Sequence, residues 1–220
     1  MTEQARRDRP FPFRDTIVVA CGTLRPELAA LAEAGRLDAR RILYTGPGLH
    51  EWQAKLAAQL TRKLEQAASD TGRTVVVYGE RCYLDPRDPT RDTEAIIREV
   101  DPAAVRLDAA HCVDMLADEG QRQRLAGSDR IYWLTPGWIR YWDAIFRDWD
   151  AAKANETFPR HEKAVILDGI GFFEALASAE PERLLAISDW MGLPVEAATV
   201  SLERFYGLLV AAARQAAGEG

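Results

Sequence analysis

The chain has few cysteines and no long apolar run, and both shortages exclude whole classes of protein. With three cysteines among 220 residues, any set of disulfides would leave one thiol over, which excludes a disulfide scaffold. The longest apolar runs, of about six residues, are far shorter than the roughly 20 that cross a bilayer. The opening stretch, MTEQARRDRPFPFRD, has charges and prolines where a secretory signal needs an apolar centre. We therefore expect a cytoplasmic protein with reduced thiols and no membrane partner.

The chain also lacks an excess of positive charge. Its formal net charge is −6, from 34 acidic and 28 basic residues, and the basic residues are spread along the chain. A nucleic-acid-binding surface needs clustered lysine and arginine side chains, so we expect no nucleic-acid partner. The remaining composition, with 47% hydrophobic residues, predicts a globular chain with a substantial core.

What the chain does have is an alternation of strand-like and helix-like segments. TIVVAC, RRILYTG and RTVVVYGERC are rich in β-branched and apolar residues, and the first two precede segments with apolar residues at helical spacing. The alternation continues to the last helix-like segment. Six or seven such units predict an α/β fold, with a mostly parallel sheet of about six strands, helices on both faces and three Rossmann-like layers. We expect a flexible segment over residues 1–14 and a single α/β domain over residues 15–215.

The residues with unusual chemistry follow the predicted strands. In a parallel sheet all carboxyl ends point to one edge, and that edge is where ligands bind. The exit loops hold all three cysteines and two of the three histidines. We therefore expect one edge to carry the following residues: Cys21, His50, Cys82, His111 with Cys112, then Trp138, and Asp168 at the end of the sixth strand.

Thiolate and imidazole together are ligands that suit zinc or another transition metal. The candidate metal ligands are Cys21, His50, Cys82, His111 and Cys112. Three protein ligands with an open fourth position are typical of a catalytic metal site.

Cys21 stands just before a helix, whose amino terminus favours a thiolate, so we expect it to be the most stabilised thiolate and a catalytic residue. Trp138 is a second catalytic candidate because Gly137 brings the backbone close to the cysteine edge. Glu27 and Asp168 are candidates for the shell around the ligands. Three alternatives remain open: a reactive-thiol site without a metal, an iron–sulfur cluster on three cysteines, and inert cysteines that pack as small hydrophobes.

Five segments also resemble a known family in their order along the chain. ACGTLRPEL, YTGPGLHEWQAKL, VVVYGERC, HCVDML and IYWLTPGWI resemble the bacterial and archaeal domain-of-unknown-function family 1638. The resemblance implies functional roles for Cys21, His50, Cys82, Cys112 and Trp138. Members often accompany corrinoid-dependent methyl-transfer systems, so the resemblance also implies methyl-group or corrinoid chemistry, with a corrinoid or a methyltransferase protein as partner.

The sequence leaves three kinds of function open. The first is a metal-dependent transferase that acts on a small-molecule ligand. The second is a non-catalytic accessory protein that binds a metal or corrinoid and passes it to a partner enzyme. The third is a ligand-binding α/β domain whose buried cysteines are inert.

Overall fold

A computed structural model describes residues 13–219, apart from the side chain at position 151. The strands are β1 (Thr16–Ala20), β2 (Arg41–Tyr44), β3 (Arg73–Val77), β4 (Val105–Arg106), β5 (Ile131–Leu134), β6 (Lys163–Asp168) and β7 (Val195–Thr199). The α-helices are α1 (Arg25–Glu33), α2 (Gln53–Ala68), α3 (Thr93–Val100), α4 (Cys112–Leu116), α5 (Glu119–Ala126), α6 (Pro136–Arg140), α7 (Trp142–Ile145), α8 (Ala151–Thr157), α9 (Phe172–Ala179), α10 (Pro181–Met191) and α11 (Glu203–Ala216).

The strands form two parallel sheets, so the α/β class is confirmed but the single sheet of about six strands is wrong. The first sheet has the order β2-β1-β3-β4 and the second has the order β5-β6-β7. β4 pairs with β3 through only two residues, Val105 and Arg106, an edge too short to extend the first sheet. β5 pairs with β6 instead. Strand patterns in a sequence do not reveal such a change of partner, because they report burial and not neighbours.

The first sheet is covered by helices on both faces, as expected for this class. Alternate β1 residues point to opposite faces, so Val18 joins one apolar cluster and Ile17 joins another. The Val18 face is covered by α1, α4 and α11, and the Ile17 face by α2 and α3. The last helix, α11, therefore packs on the first sheet although it follows the second sheet in sequence.

The second sheet carries an aromatic layer on one face. The sequence predicts one helix over residues 138–149 with a buried aromatic face; Trp138, Trp142 and Phe146 are buried. The helix itself is two short ones, α6 and α7, because Tyr141 leaves the helical conformation between them. On the other side, Leu167 and Val200 join the cluster of the first sheet, so the two sheets share a core.

The predicted flexible segment over residues 1–14 falls mostly outside the described residues. Phe13, which that prediction includes, is fully buried and packs with the first sheet. Within residues 13–219, no helix has the length and apolar character needed to cross a membrane.

Candidate functional site

The candidate site lies where the order of the first sheet reverses. β1 lies between β2 and β3, so the chain turns to one side after β1 and to the other side after β2. Ligands of open α/β sheets bind beside such a switch point, outside the carboxyl ends of the strands. Cys21 follows β1, and its backbone N–H donates to the carbonyl of Val77 at the end of β3 at 3.2 Å. The first cysteine is therefore at the switch point itself.

Three glycines let the exit loops approach one another more closely than any other residue would allow. A Cβ at Gly22 would stand 2.6 Å from the carbonyl oxygen of Thr45, and one at Gly79 would stand 2.3 Å from that of Ala110. A Cβ at Gly137 would stand only 1.8 Å from the carbonyl oxygen of Thr23. The last approach joins the two sheets, and we call the contact between residues 21–27 and residues 135–140 the seam.

The three cysteines converge although they are far apart in sequence. Cys82 raises the pKa of Cys112, and Cys21 raises the pKa of both Cys82 and Cys112 electrostatically. Burial is the largest cause in each case: it raises the pKa of Cys21, brings that of Cys82 to about 12 and raises that of Cys112 well above its usual value. All three are free thiols. Without a bound cation they are neutral at physiological pH.

The expectation that Cys21 is a helix-stabilised thiolate is therefore wrong for the chain by itself. A 3-10 turn, Gly22–Leu24, separates Cys21 from α1, and burial outweighs the hydrogen bonds that lower the Cys21 pKa. The Cys21 Sγ lies 3.0 Å from the Thr23 Oγ1.

Tyr78 is a member of the site that the sequence did not single out. Its ring is fully buried, and its hydroxyl is hydrogen-bonded to Thr45 Oγ1 and to Cys21. Burial raises its pKa well above the usual value, so the phenol keeps its proton. Its place directly after the valines of β3 was the one available signal, because every residue that ends a parallel strand reaches this edge.

His50 and Trp138 lie side by side at the site. Their ring centroids are 5.0 Å apart, and Trp138 is also hydrogen-bonded to Cys112. Burial lowers the pKa of His50, although Glu51 opposes the shift. His50 is therefore a neutral imidazole near pH 7, which is the form that binds metals.

His111 is the more exposed histidine, and Asp114 orients it. The Asp114 Oδ2 accepts the backbone N–H of His111 at 2.7 Å and lies 3.2 Å from its Nδ1. Arg122 forms an ion pair with the same carboxylate. His111 is also close enough to His50 to lower the pKa of that histidine.

Glu27 and Asp168 lie near the seam, but they differ in their partners. Both Asp168 oxygens accept backbone N–H groups, from Ile170 at 3.0 Å and from Phe173 at 2.8 Å. Glu27 is fully buried, and neither of its oxygens has a hydrogen-bond partner on another described residue; its own backbone N–H lowers its pKa only weakly. Burial raises its pKa to about 8, and Asp168 contributes to the shift.

The donor set fits a soft metal ion, whereas the positions of the side chains are not those of a formed metal site. Three sulfurs and a neutral imidazole are ligands that zinc and similar ions prefer. Within residues 13–219, however, no group of three or more cysteine, histidine or carboxylate side chains is arranged to hold an ion. Binding therefore requires these side chains to move.

Comparison with known proteins agrees with the resemblance seen in the sequence. The model of a family described as "Protein of unknown function (DUF1638)" matches residues 44–209. The chain belongs to the DUF1638 family. The DUF1638 match contains His50, Cys82, His111, Cys112, Trp138 and Asp168, and it begins after Cys21 and Glu27. Neither the curated proteins nor the solved structures include a significant match to the chain.

Proposed function

We propose that this DUF1638 protein binds a soft transition-metal ion, zinc being the best fit, through the thiolates of Cys21, Cys82 and Cys112. His50 or His111 supplies a nitrogen ligand or leaves that position to a small-molecule ligand. The observation that supports the proposal is that three thiols from three separate exit loops lie near enough at this sheet edge to interact electrostatically.

The protonation of the thiols favours a metal over a reactive cysteine. A nucleophilic cysteine needs a nearby positive group that lowers its pKa, and here burial raises all three values. Arg106 lowers the Cys82 pKa, but more weakly than burial raises it. A bound cation supplies the missing positive charge, and each thiol that binds it releases a proton.

The positions of the thiols also weigh against inert cysteines. Each cysteine residue is only partly buried and lies at the margin of an apolar cluster, at the edge where ligands of such sheets bind. Cysteines that only fill space have no reason to share one sheet edge, whereas the ligands of one ion must share it.

The residues around the thiols have separate roles in this proposal. Tyr78 and Thr23 hold Cys21 by hydrogen bonds, and Trp138 holds Cys112 while its ring covers His50. When bound, the metal would hold a thiol or another substrate atom in its reactive form. The protein would then act as a metal-dependent transferase on a small molecule, in a reducing compartment such as the cytoplasm.

The remaining predictions from the resemblance stay predictions. Methyl-group transfer, a corrinoid and a methyltransferase partner are all compatible with a thiolate-bound metal. A non-catalytic accessory role uses the same site, and turnover with candidate methyl donors distinguishes the two.

Metal binding by cysteine variants tests the proposal. The wild-type protein should bind one zinc ion per chain in equilibrium dialysis, and Cys21→Ser, Cys82→Ser and Cys112→Ser should each lose most of it while remaining folded. His161→Gln is the matched control, because His161 lies two residues before β6, at the end of that strand opposite to the site, and its Nδ1 bonds to the Thr157 carbonyl. Undiminished zinc binding by a folded Cys21→Ser, Cys112→Ser double variant would contradict the proposal.

A further inference from the structure

The seam contains a buried acceptor that no other residue uses. Glu27 is 0% exposed, and neither of its carboxylate oxygens has a hydrogen-bond partner on another described residue. Its own backbone N–H lowers its pKa, but more weakly than burial raises it. Burial of an unpaired carboxyl is costly, and native proteins tolerate it chiefly where a ligand, water or ion completes the site. Asp168, the nearby carboxylate, already has both oxygens occupied by backbone N–H groups. Glu27 is therefore the acceptor that is available to a ligand.

The charges around Glu27 identify the kind of ligand group that fits. Asp168 interacts unfavourably with Glu27 when both carboxyl groups are ionised, and Arg140, on α6, is the cation that opposes this effect. Burial raises the pKa of Cys112 and of Tyr44, so these two neighbours stay neutral. An anionic ligand group is thus repelled, and a cationic group with N–H donors is complementary.

The position of Glu27 connects this acceptor to the switch point. It lies in the first turn of α1, six residues after Cys21, and interacts electrostatically with groups from both sheets, Cys112 and Asp168. A ligand group that reached Glu27 would therefore lie within electrostatic range of Cys112. Because the carboxyl is fully enclosed, the exit loops must part for the group to enter.

We propose that Glu27 recognises a positively charged, N–H-bearing group, such as an ammonium, on the small molecule that binds at the seam. This inference rests on the proposed function in one respect, which is that the rest of the small molecule lies at the thiol site. Glu27 is then the residue that selects cationic ligands over neutral or anionic ones of the same shape.

Three probes of equal size and different charge test this selection. Propylammonium chloride, 1-propanol and sodium propionate are compared at matched ionic strength and pH 9, with sodium chloride as reference, by the shift of the thermal unfolding midpoint with concentration. Wild-type protein should bind propylammonium about tenfold or more tightly than the other two probes, as expected for a charge-assisted hydrogen bond in a buried site. Glu27→Gln and Glu27→Met should both lose the preference, and the methionine variant keeps the result decisive if the glutamine variant folds poorly.

Glu33→Gln is the matched control, because it makes the same charge change on the exposed face of the same helix. It should keep the full preference. Equal shifts with all three probes would mean that water alone satisfies Glu27, and that result overturns the proposal, as does a preference that survives in both Glu27 variants. Zinc content is measured on the same preparations: a protein that selects propylammonium but binds no zinc would refute the proposed function and leave this inference standing.

Discussion

Glu27 and the three cysteines are held in their neutral forms by burial, each for the same physical reason. A charge that leaves water without gaining a partner is costly, so the pKa of an acid rises until the neutral form dominates. The pKa of Glu27 rises to about 8 and that of Cys82 to about 12. The site and the seam therefore bring together four buried acids whose pKa values are all raised, even without any bound molecule.

Glu27 should make the protein less stable as the pH rises. Its folded-state pKa, about 8, is above the ordinary value of 4.5, so the folded chain holds a proton that the unfolded chain has released. The free energy of unfolding should therefore fall between about pH 4.5 and pH 8 and then level off. Glu27→Gln should remove this dependence and stabilise the protein at pH 8.5 by an amount on the order of 1–4 kcal/mol. Urea unfolding of both proteins at pH 5 and pH 8.5 measures the change in the free energy of unfolding. An unchanged pH dependence in the variant would contradict the raised pKa of Glu27.

The thiols should react slowly in the metal-free folded protein. Alkylation requires the thiolate, and the raised pKa of each cysteine lowers the thiolate fraction at pH 8. Each cysteine should be modified by iodoacetamide at least about tenfold more slowly in the folded chain than in urea. Mass spectrometry of tryptic peptides follows the three sites separately. Fast modification of Cys21 at pH 8 would contradict its raised pKa and would support the helix-stabilised thiolate that the sequence predicts.

Glycines allow the exit loops of the two sheets to approach each other at the seam. Gly137→Ala should push the α6 turn away from Thr23, since the new Cβ would stand 1.8 Å from a backbone oxygen. A loss of roughly 1–3 kcal/mol is expected. Gly207→Ala is the matched control, because Gly207 lies inside α11 with open space around its Cβ position. That variant should gain about 0.5–1 kcal/mol from helix propensity. Equal effects of the two substitutions in urea unfolding would contradict the tight contact at the seam.

The alternation of elements could be predicted from the sequence because it depends on local patterns. The runs of β-branched residues in β1 and β3 and the helical spacing of Leu56, Leu60 and Leu64 in α2 report burial directly. The placement of chemically unusual residues in exit loops followed from the same patterns. The split into two sheets could not be predicted, because it depends on which strand pairs with β5.

Parts of the site also lay beyond sequence reasoning. Glu27 was expected beside the ligands, but that it has no partner depends on how α1 packs against the seam. The only sequence signal for Tyr78 is its place directly after β3, and its residue type does not distinguish it from a core tyrosine. The raised pKa of Cys21 is a consequence of burial, which a helix-dipole argument based on order along the chain does not include.

The molecule as a whole is held together by α11, which returns from the second sheet to cover the first. Phe205 is fully buried in the cluster that contains Val18 and Val75 of the first sheet and Leu167 of the second. Phe205→Ala should therefore destabilise both sheets together, by roughly 3–5 kcal/mol. Circular dichroism and tryptophan fluorescence should report one shared urea midpoint, lowered in the variant. Two separate transitions in the wild-type protein would show that the sheets fold independently.

The central claim is that three thiolates from one sheet edge share a metal ion. X-ray absorption at the zinc edge, on protein loaded with one equivalent of zinc, counts the sulfur ligands directly. We predict three sulfur neighbours at about 2.3 Å, completed by a lighter nitrogen or oxygen ligand. A zinc ion surrounded by nitrogen and oxygen alone would contradict the claim, and the three cysteines would then be neutral thiols without a metal.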